Sequence, residues 1–137
     1  MKTLHSLKLF LMLILLTTMS CEEIILDKSF TFGNESEFRI NQLYSTSDGQ
    51  CTFRITEISD SRCPEGVVCI WAGEVTVKGK WTAYNEQTNV ELHSLVKDQE
   101  IQPEGYTITI IDAKPYPKYG TETKPEDLVI TLKIQKN

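Results

Sequence analysis

Cysteine has the widest chemical range of the residues in this chain, because a thiolate can close a disulfide, hold a soft metal or carry a lipid. There are four: Cys21, Cys51, Cys63 and Cys69. Cys63 and Cys69 bracket the short segment Pro64–Val68, and Pro64 and Gly66 supply the turn geometry that a small closed ring requires. An oxidised Cys63–Cys69 pair is the expected state, worth about 2 kcal/mol on the chain-entropy model. Bridges from Cys51 to either of them remain open, since three cysteines allow three single bridges. Cys51 alternates in phase with Phe53 and Ile55, which reads as a small buried hydrophobe. The alternative is a soft-metal or thiol-redox set of Cys51, Cys63, Cys69 and His93. Its spacing departs from both the zinc knuckle and the redox Cys-x-x-Cys. His93 lies mid-strand in a polar phase, as an exposed sheet residue would. Nucleophile elbows, paired-histidine zinc motifs, phosphate loops and dinucleotide fingerprints do not occur, so the expected function is non-catalytic, with no cofactor. Acidic pairs such as Glu126 and Asp127 sit at polar ends and read as solvated.

Cys21 has a different setting. The apolar run Leu9–Leu16 follows Lys2 and Lys8, is too short to cross a bilayer, and leads through Thr18, Met19 and Ser20 to the cysteine. This resembles the lipobox of bacterial lipoproteins, with Thr18 where leucine is usual. The resemblance implies a signal peptide over 1–20 and a lipidated, palmitate-bearing Cys21 that ties the chain to the membrane. The competing readings are an ordinary secretory signal that leaves Cys21 as a thiol, and a retained membrane helix. Glu22 and Glu23 form an acidic pair similar to one that some Gram-negative bacteria use to send lipoproteins to the cell surface, or else a solvated tether. The expected location is the cell envelope, in the outer membrane on its periplasmic or surface face.

Loss of Lys2 and Lys8 leaves twelve basic against nineteen acidic residues, a mature net charge of about −7. Nucleic acid and anionic lipid are disfavoured as partners, because no basic run interleaved with aromatics provides a phosphate footprint. The length after the signal suits one domain with its own core.

The dominant period of that domain is two. Alternation over 37–41, 51–56, 74–81, 89–95, 106–111 and 128–134 predicts half-buried strands, with turns at Ser47–Gly49 and Asn85–Gln87 and a meander-like connectivity. The fold class is all-β: a single antiparallel, immunoglobulin-like β-sandwich or a small barrel over 36–137, the sandwich favoured. Residues 21–35 are the lipidated N-terminus and a tether or first edge strand. The sequon at Asn34–Ser36 reads as coincidental in a bacterial protein.

Asp60-Ser-Arg-Cys-Pro64, Cys69-Ile-Trp-Ala-Gly73 and the segment from Tyr106 to Pro117 resemble a widespread family of small bacterial secreted proteins and lipoproteins with no assigned activity. That resemblance spans most of the domain and implies an extracytoplasmic β domain, without functional residues to transfer. Two uses of the loop follow from its chemistry. In the first, Asp60 pairs with Arg62 or caps the turn, Trp71 packs across the ring and Gly73 admits a close approach. In the second, Arg62 and Trp71 form a preorganised surface for an envelope protein or glycan. Exposure of Trp71 separates them. Tyr116, Tyr119 and Trp81 are a weaker sugar-stacking set. A purely structural envelope component, lacking a separable binding surface, is the third reading.

Overall fold

Period-two alternation places one face of each strand against an opposing sheet, and two such sheets close over a shared core in the computed structural model of the chain. The structure describes residues 28–101 and 105–137. The signal segment, Cys21, Glu22 and Glu23 lie outside the described residues.

Nine strands run in chain order: β1 Lys28–Phe30, β2 Glu35–Phe38, β3 Leu43–Thr46, β4 Cys51–Asp60, β5 Val75–Ala83, β6 Glu86–His93, β7 Gln99–Ile101, β8 Tyr106–Lys114 and β9 Val129–Lys136. A 3-10 turn at Pro125–Asp127 leads into β9. One sheet has the order β1-β3-β4-β5-β6 and the other β2-β9-β8-β7, so the domain is a β-sandwich. Every pairing is antiparallel except β1 with β3. The expected meander describes β3 to β6 and β7 to β9. It fails at the start of the domain, where β2 leaves the first sheet to pair with β9 while β1 and β3 lie side by side. Among the described residues no helix is long and apolar enough to cross a membrane.

The core is aromatic at its centre. Trp81 is fully buried, with Tyr106 at 5.1 Å and Phe30 at 6.2 Å between ring centroids, while Phe38 packs on Tyr44 at 4.5 Å and on Phe53 at 5.6 Å. Such tilted and edge contacts add about 1 kcal/mol each beyond area burial. Trp81 is therefore unavailable to a sugar, which corrects that expectation. Its in-phase neighbours Val75, Val77, Gly79 and Ala83 put it on the core side. Its Nε1–H finds no acceptor among the described residues. Gly79 is required by the same packing, since a Cβ there would stand 2.9 Å from the Phe53 ring and 2.8 Å from the Arg54 carbonyl.

Two bulges bend the sheets, one between Ile55 and Glu57 in β4 and one between Ile110 and Asp112 in β8. Each inserts an extra residue and reverses the in–out phase beyond it. In β8 the reversal brings Ala113 inward and leaves Ile111, at the bulge, facing outward.

Two distinct ends result. At one, tight turns join β3 to β4 and β5 to β6; at the other, longer connections follow β4, β6 and β8. The β5–β6 turn occupies Tyr84 and Asn85, with φ of 50° and 66°, as a two-residue type I′ hairpin requires. Glu86 and Gln87, expected in the turn, are the first residues of β6.

Candidate functional site

The connection between β4 and β5 carries the two paired cysteines. Cys63 and Cys69 form a disulfide with Cα atoms 5.9 Å apart. Below the ring the β4–β5 ladder continues: Ser61 N–H donates to the Glu74 carbonyl at 2.9 Å and Cys63 N–H to the Ala72 carbonyl at 3.0 Å. Gly73 makes this closure possible. It has φ +68°, and a Cβ on it would fall 1.8 Å from the Ser61 carbonyl oxygen.

Arg62 fixes the base of the loop to the second sheet. Its Nε and Nη2 donate to the two oxygens of Asp60 at 2.9 and 2.6 Å, a bidentate pair with both side chains nearly buried. Nη1 donates to the Ala113 carbonyl at 2.7 Å and Nη2 also to the Pro115 carbonyl at 3.1 Å. Tyr116 covers the guanidinium, 4.6 Å from its ring centroid. Hydrogen bonding to Asp60 raises the Arg62 pKa above its ordinary value, so the cation is permanent. Asp60 Oδ1 further accepts from the Arg62 backbone N–H at 3.0 Å. The expected pairing of Asp60 with Arg62 is present, and the same contacts leave Arg62 occupied as a strut rather than offered to a ligand.

The loop also rests on the β8–β9 connection, which turns through a cis Lys114–Pro115 bond. Glu65 N–H donates to the Pro117 carbonyl at 2.9 Å and Tyr119 N–H to the Glu65 carbonyl at 3.2 Å. Beyond Glu65 the tip is free of such contacts and apolar. Val68 is fully exposed, Ile70 is 93% exposed and Trp71 82%. Trp71 does not pack across the ring, which corrects that part of the first reading. The two candidate binding residues thus separate, with Arg62 buried in the scaffold and Trp71 presented to solvent.

Exposed apolar groups gather around this tip. Eight of the eleven exposed large hydrophobic side chains among the described residues lie in the β4–β5, β6–β7 and β8–β9 connections, including Leu95 at 70% and Tyr119 at 75% exposure. A large exposed apolar patch marks an interaction site more often than an accident of folding. Signals for it were present in the sequence, since Val67, Val68, Ile70 and Trp71 follow no strand alternation.

The soft-metal set is not assembled. Cys63 and Cys69 are consumed in the disulfide, and Cys51 is buried at the turn end with Sγ 3.6 Å from the Tyr106 hydroxyl. His93 stands at the opposite end of the sheet with Nδ1 3.3 Å from Glu74 Oε1. Among the described residues no group of three or more histidine, cysteine or acidic side chains is placed to hold a metal. The surface depressions are open, such as one of about 370 Å³ lined by Glu37, Asp112, Lys114 and Thr131.

No family model, no curated protein and no solved structure matches this chain.

Proposed function

We propose that this protein is a bacterial envelope lipoprotein, held at the outer membrane by lipid on Cys21, whose β-sandwich is a non-catalytic contact domain. The observation that carries the contact reading is the exposure of Val68, Ile70 and Trp71 on a loop whose base is held by a disulfide and by Arg62. A rigid base lowers the ordering cost of binding, and a tip of valine, isoleucine and tryptophan gains most by leaving water. Branched aliphatic groups offer nothing for sugar hydroxyls to bond. The tip therefore suits an apolar envelope partner better than a glycan.

Anchoring is tested by expressing the full chain and its Cys21→Ser variant in a Gram-negative host with labelled palmitate. Label and membrane fractionation are expected for the parent chain alone. An unlabelled parent chain released to the soluble fraction sinks the anchored reading.

A further inference from the structure

The first described strand begins about 20 Å short of the apolar loops and runs away from them. β1 runs parallel to β3 with Lys28 opposite Tyr44, and Tyr44 lies opposite Phe53 of β4. Because β3 runs away from the β4–β5 loop, so does β1, and Lys28 is the end of β1 nearer that loop. From the level of Phe53 to Asp60, where that loop begins, is about 20 Å along β4. The stretch from Cys21 to Lys28 covers at most about 25 Å when fully extended. That span is long enough for a lipid on Cys21 to reach the loop base.

Residue types at this end fit the headgroup–acyl boundary of a bilayer. Tryptophan and tyrosine concentrate there, and Trp71, Tyr116 and Tyr119 are all exposed on the connections at this end. Between Cys63 and Gly73 the only charged residue is Glu65. Lys97 and Lys118 are exposed on the adjoining loops, where their ammonium groups can meet lipid phosphates while their stems lie along apolar surface. A bilayer also receives a convex apolar tip without a matching groove.

We infer that the apolar end seats in the membrane that anchors the chain, with Val68, Ile70 and Trp71 entering the phospholipid headgroup–acyl boundary. The inference rests on the anchored reading and names the partner of its contact surface. Seating is apolar rather than electrostatic, because the mature domain is acidic, and so persists at high salt. It holds the sandwich upright at the membrane surface instead of leaving it free on a tether.

The test is Trp71 fluorescence in the full lipidated protein reconstituted into zwitterionic phosphatidylethanolamine–phosphatidylcholine vesicles, with bromine-labelled acyl chains as quencher. Quenching by bromines within about 10 Å of the headgroup boundary is expected, with shielding from aqueous iodide, in low and high salt alike. Trp71→Phe should remove the quenched emission and leave that of buried Trp81. Val68→Asp with Ile70→Asp should abolish quenching without releasing the chain from vesicles. A vesicle-bound protein whose Trp71 remains open to iodide and unquenched by the lipid overturns the inference, and protection seen only in native membranes would assign the tip to a protein partner instead. Intact mass reads the anchor separately. Should Cys21 carry no lipid, coupling it to a maleimide lipid poses the same question of the loop, since buried Cys51 does not compete.

Discussion

At one end of the sandwich the strands reverse through short turns whose side chains satisfy themselves. Thr46 and the Gln50 backbone donate to Asp48, whose carboxyl is thereby held below its usual range, and Lys136 donates to the Tyr84 hydroxyl at 3.0 Å. Beneath them, burial holds the Tyr106 hydroxyl well above its usual pKa. At the other end three longer connections spend their polar groups on one another at the base and leave valine, isoleucine, leucine and tryptophan in water at the tips. The first arrangement is what joining strands requires. The second goes beyond that requirement, and an exposed apolar tip on a hydrogen-bonded base is what the proposed contact role calls for.

The largest expected effect lies in the base. Arg62→Ala should cost about 3 kcal/mol of folding stability, because it leaves the nearly buried Asp60 carboxylate and the Ala113 carbonyl without their donor. Urea unfolding of the parent and variant measures it. A loss below about 1 kcal/mol would mean that the loop is not pinned through Arg62, and the contrast between fixed base and free tip would fail.

Replacing both Cys63 and Cys69 by serine should cost less, about 2 kcal/mol, because the ring they close is short. The ladder from Ser61 to Glu74 and the contacts of Arg62 remain, so the loss should appear chiefly as faster proteolysis within 63–69. A collapse of the whole transition would instead make the staple a condition of folding.

Much of this division could be read in the sequence, and the misreadings have physical causes. Strands β4, β5 and β8 announce themselves by alternation, but their lengths were underestimated for β4 and β8 where bulges at Thr56 and Ile111 reverse the phase. β1, β3 and β7 span only three or four residues, too few for a period to register. The β5–β6 turn falls one residue before the expected Asn85–Gln87, because Tyr84 carries no turn propensity. At the loop, Asp60 and Arg62 are close enough in sequence for their pairing to be expected, whereas the bonds from Arg62 to Ala113 and Pro115 join residues far apart in the chain and leave no local trace. The two tryptophans depart from the ring-packing and sugar-stacking expectations, while the open alternative of an exposed Trp71 holds. Trp81 shares the phase of Val75 and Val77, which assigns it to the core, while Trp71 belongs to no periodic segment and had only the general tendency of tryptophan to be buried in favour of packing.

The smallest effect discriminates most sharply between the ends. Asn85→Ala keeps a β-carbon but removes the side chain that tolerates φ +66°, and should cost about 1 kcal/mol. Ile70→Ser, at the other end, removes a far larger apolar group, yet should change stability by no more than about 0.5 kcal/mol, because Ile70 is already in water in the folded protein. Thermal melts of the two variants at one protein concentration decide the matter. If Ile70→Ser proved the more damaging, the isoleucine would be packed against the fold in solution, and the tip would be part of the core rather than a surface. If it is neutral while Asn85→Ala is not, stability gives no reason for an apolar tip. That outcome is the one the proposed contact role requires.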